Sequence, residues 1–192
     1  MEKKIQGKVF VFTAPSGAGK TTIVKHLLKV NEDLDFSISA TSRSMRKDEI
    51  DGRDYYFLDG DTFQQKITER AFLEWEEVYS NQFYGTLHSE IRRIWDLQKH
   101  IIFDVDVKGA VDIKDHFGDQ CLSIFVKPPS LQILMDRLKK RGTETPSSLH
   151  KRVARIRHEL TYEQKFDRVI VNDLLDVALK EAEFLIEDFL VS

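Results

Sequence analysis

Between residues 7 and 30 an apolar strand, a loop of small residues and a helix start follow one another, and this unit narrows the possible folds more than any other segment. Gly7-Lys8 precedes the apolar run Val9-Phe10-Val11-Phe12, which reads as a buried strand. The loop Ala14-Pro15-Ser16-Gly17-Ala18-Gly19-Lys20-Thr21 comes next, continued by Thr22. Behind it Ile23, Val24, Leu27 and Leu28 recur at helical spacing. Backbone N–H groups in such a loop, with the positive end of the helix dipole behind them, can surround a polyphosphate. Lys20 adds a mobile cation, and the Thr21 hydroxyl is a ligand suited to Mg²⁺. Ala14 stands where the motif usually has its first glycine, but the G-x-G-K-T half is intact. The alternative is a Gly/Ser turn before a helix with a chance lysine.

Apolar runs and helical patterns alternate along the rest of the chain. Ile101-Ile102-Phe103-Asp104-Val105-Asp106, Leu122-Ser123-Ile124-Phe125-Val126 and Val169-Ile170-Val171 read as buried strands, and Phe36-Ser37-Ile38-Ser39 as a weaker one. Helical spacing recurs over 20–30, 62–71, 86–98, 109–116, 130–141, 147–163 and 174–190. This alternation predicts an α/β fold, a parallel sheet with helices on both faces. Ligands of such sheets bind beyond the carboxyl ends of the strands, where the loop at 14–21 and the carboxylates Asp104 and Asp106 are expected.

At 192 residues the chain suits one domain carrying insertions. Its net charge of −3 supplies no global field for nucleic acid or an anionic membrane, so neither is expected as a partner. The single cysteine, Cys121, excludes an intrachain disulfide and lies in an apolar strand-like segment, as an inert core thiol would. No signal peptide and no run long enough to span a bilayer is visible, so a cytoplasmic protein is expected.

Two stretches interrupt the alternation. Residues 130–160 are strongly basic, and Arg137 and Arg141 share a helix face before Gly142-Thr143-Glu144-Thr145-Pro146 breaks the pattern. This is either a solvated face or a basic flap over a polyphosphate. Residues 38–88 are polar, aromatic and turn-rich. Within them Ser39-Ala40-Thr41-Ser42-Arg43-Ser44-Met45-Arg46 is followed by Glu49, Gly52 and Asp54-Tyr55-Tyr56-Phe57. Two arginines three apart, with hydroxyl groups nearby, suit a phosphate monoester, because guanidinium matches phosphate oxygens. The alternative is a surface loop with ordinary pairs, Arg46 to Glu49 or Arg53 to Asp51.

At these residues the chain resembles guanylate kinases, the nucleoside-monophosphate kinases that phosphorylate GMP. The carrying segments are P-S-G-A-G-K-T at 15–21, T-S-R-S-M-R-x-x-E-x-D-G-R-D-Y-Y-F at 41–57, F-L-E-W at 72–75, Y-G-T at 84–86, D-V-D at 104–106, R-L-K-K-R-G-T-E-T at 137–145 and V-I-V-N-D at 169–173. The resemblance implies a P-loop core (1–37, 89–131, 158–192), a GMP-binding insertion (38–88) and a lid (132–157). It implies ATP and GMP or dGMP as substrates, Mg²⁺ as cofactor, and a monomer or homo-oligomer.

On the acceptor side the resemblance gives the GMP phosphate to Arg43, Arg46, Tyr55 and Tyr84, with Glu49 in the same site, and guanine to Ser39, Glu74, Thr86 and Asp106. Chemistry agrees for the base: the guanine edge offers two donors to a carboxylate and a carbonyl acceptor to a hydroxyl, whereas adenine reverses donor and acceptor. Without the family, Phe72-Leu73-Glu74-Trp75 reads as helix or strand core with a solvated glutamate. On the donor side the resemblance gives ATP to residues 14–22, Arg137, Arg141 and Asn172, and makes Lys20, Arg43, Arg137, Arg141 and Arg152 catalytic. Thr21 would ligate Mg²⁺ directly and Asp104 through water, although sequence does not separate Asp104 from Asp106. Asn172 reads equally as an Asn-Asp turn ending a strand. Met45, Lys47-Asp48 and Lys108 depart from the family pattern, which has proline, Pro-Gly and glutamine there. A phosphate acceptor is already anionic, so no general base is needed. Two rivals stay open: a catalytically silent binding module of the same fold, and a kinase for AMP, UMP or dTMP.

Overall fold

The computed structural model describes residues 7–140 and 146–192. Five strands form a parallel sheet in the order β2-β7-β1-β8-β9. They are β1 (Val9–Thr13), β2 (Leu34–Phe36), β7 (His100–Asp104), β8 (Cys121–Lys127) and β9 (Arg168–Val171). All five residues of β1 are buried, as a central parallel strand covered on both faces requires. Its alternate side chains serve two cores. Phe10 and Phe12 face α1 (Lys20–Val30) and α7 (Leu175–Val191), meeting Ile23, Leu27, Ala182 and Ile186. Val9 and Val11 face α3 (His88–Asp96) and α4 (Val107–Phe117), meeting Ile91, Ile94, Ala110 and Ile113. Cys121 lies in this second core, 1% exposed, and burial pushes its thiol up to about 12.

A second sheet of four strands, ordered β4-β3-β6-β5, is built from β3 (Ala40–Thr41), β4 (Tyr56–Phe57), β5 (Phe72–Tyr79) and β6 (Gln82–Leu87). With α2 (Gly60–Thr68) it encloses a small core around Phe63 and Phe72, whose rings stack. Helices α5 (Leu131–Lys140) and α6 (Pro146–Leu160) pack together through Leu134, Leu138 and Ile156. Among the described residues no helix is long and apolar enough to cross a membrane.

Several elements differ from the sequence expectations, each for a local reason. Periodicity predicts a helix over 62–71, but α2 starts earlier, at an Asp59 cap accepting from Thr62 N at 2.7 Å, and ends before Arg70 turns to φ 53°. Residues 72–75 read as helix or strand, and no hairpin is predicted over 72–87, where β5 and β6 pair and the chain turns at Asn81, φ 58°. Its acidic residues mask it, because only one face of this sheet is packed and the other carries Glu77 and the half-exposed Trp75. The strand predicted to end at Asp106 stops at Asp104, because Asp106 turns to cap α4, accepting from Lys108 N and Gly109 N. The weak strand at 36–39 sits earlier, with Leu34 opposite His100.

Phe10 is wholly buried and meets Phe189 edge-on at 5.6 Å. Phe10→Ala is expected to destabilise the fold by about 3–5 kcal/mol. Urea denaturation checks this; a midpoint unchanged from the parent would show that β1 is not the packing centre.

Candidate active site

A cleft of about 570 Å³ opens at the carboxyl end of the parallel sheet. Residues 14–22 form one wall; Ser39, Tyr55, Glu74 and Tyr84 from the second sheet form the other; Asp104 and Asp106 lie at its floor.

The loop wall is set by two glycines with left-handed backbones, Gly17 (φ 93°) and Gly19 (φ 99°). A Cβ on Gly19 would come within 2.1 Å of the Asn172 amide nitrogen. That amide donates to the Ala18 carbonyl at 2.7 Å, and Asn172 is only 4% exposed. Asn172 is therefore a brace under the loop and not one of the residues lining the cleft. Lys20 reaches across to β7: its ammonium is 2.5 Å from Asp104 Oδ1 and donates to the Val105 carbonyl at 2.8 Å. The Thr21 hydroxyl donates to Asp104 Oδ2 at 3.2 Å. Asp104 thus faces the loop, while Asp106 belongs to the opposite side as the cap of α4, and the two carboxylates left unresolved by sequence are separated.

Beyond β3 lies an arginine site. The Arg43 guanidinium donates to both Glu49 carboxylate oxygens, each at 2.6 Å, and through Nε to the Tyr84 hydroxyl at 3.0 Å. It also lies over the Tyr55 ring, 4.9 Å from the centroid. These bonds hold Glu49 at about 2 and raise Arg43 further above its already high value. Glu49, expected in the same site as Arg43, fixes the Arg43 fork with its carboxylate. Of the pairs that sequence suggested, Arg46–Glu49 exists through the Arg46 backbone amide (2.8 Å), and Arg53 pairs with Asp54 in place of Asp51. The Arg46 side chain is exposed beside the site.

Glu74 is a buried acid of the cleft, 8% exposed, as is Glu159, 5% exposed. Strand register sets it opposite Thr86, whose hydroxyl donates to Oε1 at 2.6 Å. Burial pushes Glu74 up to about 7, with Asp106 adding in the same direction and the Thr86 hydrogen bond opposing it. Oε2 sits against the first turn of α4, where a Cβ on Gly109 would be 2.8 Å away. Gly109 is a site residue that sequence did not single out; a glycine at the third position of a helix was the available signal. Lys108 leaves the centre: its ammonium pairs with Glu76 at the rim.

On the lid side, Arg137 donates from Nη2 to the Asn172 carbonyl at 3.1 Å, tying α5 to the end of β9. The apolar face of α5 meets the loop, since Leu138 and Leu134 would lie 3.0 and 3.1 Å from a Gly17 Cβ. Arg155 of α6 lines the cleft, 3.9 Å from Asp106 and bonded to Glu159 at 2.7 Å; sequence counted it only within the basic stretch. Arg141 lies outside the described residues, as does the side chain of Arg152.

A family profile described as guanylate kinase matches residues 6–189. The guanylate kinase of Bacteroides fragilis is 45% identical over 185 residues, covering 96% of this chain and 91% of that protein. That of Salinibacter ruber is 48% identical, covering 96% of this chain and 97% of its own. The crystal structure of guanylate kinase from Anaplasma phagocytophilum matches with a TM-score of 0.77 at 25% identity, over 97% of this chain and 87% of the other.

Thr86→Val removes the donor that holds Glu74 down and keeps the side chain's shape. The carboxyl of Glu74 is expected to titrate above its present value of about 7. Carbon-13 NMR of the Glu74 side chain checks this, and a titration at or below the parent value would contradict the assigned balance of burial and hydrogen bonding.

Proposed function

Because the chain belongs to the guanylate kinase family, we propose that it transfers the γ-phosphoryl group of ATP to GMP or dGMP, giving ADP and GDP. One observation carries the reading beyond kinship: a buried carboxylate paired with a hydroxyl, Glu74 with Thr86, shares a cleft with the Lys20 loop. The ionised Glu74 accepts from the two donors of the guanine edge; of the two hydroxyls expected to meet the guanine carbonyl, Thr86 donates to Glu74, which leaves Ser39 for that role. Adenine would leave these groups unpaired, which argues against an AMP kinase. Lys20 and Thr21 in a formed loop argue against a silent binding module.

The proposed division of labour follows the cleft. Residues 14–22 hold the ATP phosphates, with Lys20 as the compact cation near the transferring group. Arg43 and Arg46, with Tyr55 and Tyr84, hold the GMP phosphate against the repulsion between two anions. Glu49 keeps the Arg43 fork aimed, and Asp106 serves the guanine side. Arg137, Arg141 and Arg152 converge on the ATP phosphates when the lid, 132–157, and the insertion, 38–88, close on the core. Closure excludes water, which would otherwise accept the phosphoryl group. Asn172 serves the ATP site through the loop that it braces.

Thr21 and Asp104, two hard oxygen donors 3.2 Å apart beside that loop, fit a Mg²⁺ that takes its other ligands from phosphate and water. When bound, the ion neutralises charge on the phosphate oxygens. No general base enters, because the acceptor oxygen is already anionic.

With GMP, dGMP, AMP, UMP and dTMP as acceptors in an ADP-release assay, the guanine nucleotides are expected to lead in kcat/KM by about 10⁴-fold. Binding of both nucleotides without GDP formation, or a preference for AMP, would overturn the proposal. The Glu74 environment adds a pH signature. Below about 7 the carboxyl carries a proton and one oxygen cannot accept; above it both can. The KM for GMP is therefore expected to fall as pH rises through this range, with the KM for ATP nearly flat. Glu74→Gln should remove that dependence and leave only the phosphate's own second ionisation, near about 6. Stability of the unliganded protein runs the other way. Glu74 is raised above its ordinary 4.5, so the stability it contributes in protonated form is lost as pH rises from there through about 7.

A further inference from the structure

Glu90, in the first turn of α3, is 2% exposed and stands outside the proposed cleft. Each of its oxygens is engaged. Oε1 accepts from the Ile38 backbone N–H at 3.0 Å and from Arg93 Nη2 at 2.7 Å. Oε2 accepts from the Tyr56 hydroxyl at 2.9 Å and from Arg93 Nε at 3.1 Å. Arg93 continues the network into the core, donating to Asp35 at 3.0 Å and to the Phe36 carbonyl at 3.1 Å, both in β2.

The location gives this network its meaning. The chain leaves the parallel sheet after β2 and passes Ile38 into β3; it returns from β6 directly into α3. One buried carboxylate therefore grips the outgoing crossing, the return crossing and β4 of the second sheet. The residues gripped are neighbours of cleft residues. Ile38 precedes Ser39, and Tyr56 follows Tyr55; Ser39 and Tyr55 both line the cleft. Successive side chains along extended backbone point to opposite sides. Anchoring Tyr56 at the back thus turns Tyr55 toward the cleft. The Tyr56 N–H donates to the Ser39 carbonyl at 2.9 Å, so Ser39 is also tied to the residue that follows Tyr55.

We propose that Glu90 is a positioning residue for the acceptor nucleotide, holding Ser39 and Tyr55 in place on the core through Ile38 and Tyr56. This rests on the assignment of the GMP site above. A residue needed only for folding would change the amount of folded protein and leave the kinetic constants of what remains. A positioning residue separates the two substrates, because the ATP loop on β1 and α1 has no part in the network.

The test compares Tyr56→Phe, which deletes one hydroxyl and leaves Glu90 paired with Arg93 and Ile38, with Glu90→Gln and Glu90→Ala. Melting temperature confirms folding in each case. For Tyr56→Phe the KM for GMP is expected to rise about three- to tenfold, with the KM for ATP moving less than about twofold. Glu90→Ala should have the larger effect, and Glu90→Gln, which keeps acceptor capacity, should recover part of it. Tyr55→Phe and Glu74→Ala serve as controls for the site itself. If those controls leave GMP binding intact, the assignment of the GMP site fails. If they weaken GMP binding while Tyr56→Phe leaves both KM values unchanged, or shifts them equally, the positioning role of Glu90 is overturned. Should Glu90→Ala fail to fold, Tyr56→Phe alone still returns one of these outcomes.

Discussion

A parallel sheet buried on both faces leaves its strands only one place to present polar chemistry, the carboxyl edge. β1 runs through the centre of this sheet with no exposed residue, so its end delivers the Lys20 loop into the middle of that edge. β7, its neighbour, ends in Asp104 beside Lys20 and Thr21. Pairing of β1 with β7 fixes the distance between the loop and this carboxylate before any nucleotide arrives. The second sheet is then hung opposite, and the cleft is the gap between the two.

Carboxylates recur in and near this gap, each handled differently. Glu49 is held ionised by the Arg43 fork. Asp106 accepts from the amides at the start of α4, where the helix dipole favours negative charge. Glu90 is enclosed by Arg93, Tyr56 and a backbone amide. Glu74 has a single hydroxyl and is pushed toward neutrality. A buried acid short of donors is poised to receive them, and the guanine edge offers two.

The strand-loop-helix unit at 9–30 was legible because it is local. The strand, loop and helix lie within one continuous stretch, and the apolar period changes where the loop begins. The cluster of arginines and tyrosines on the second sheet was legible in its residue types but not in its scaffold. The β5–β6 hairpin escaped because a sheet packed on one face tolerates Glu76 and Glu77 within a strand. Gly109 escaped because its importance is a close approach to Glu74, thirty-five positions away in the chain. Arg155 looked like one more charge on a basic helix until that helix was laid beside Asp106.

Short-range information in the chain dictates the alternation of strands and helices, the left-handed glycines of the loop and the presence of two clusters of phosphate-matching groups, since each depends on neighbouring backbone geometry or side-chain chemistry. Packing in three dimensions assigns the partners. It separates Asp104 from Asp106, ties Glu49 to Arg43, draws Asn172 under the loop and Lys108 out to Glu76, and joins Glu90 to both crossings. Most of these outcomes depend on distances across elements far apart in the chain, and surroundings rather than residue type set two glutamates apart: burial raises Glu74, and the Arg43 hydrogen bonds lower Glu49.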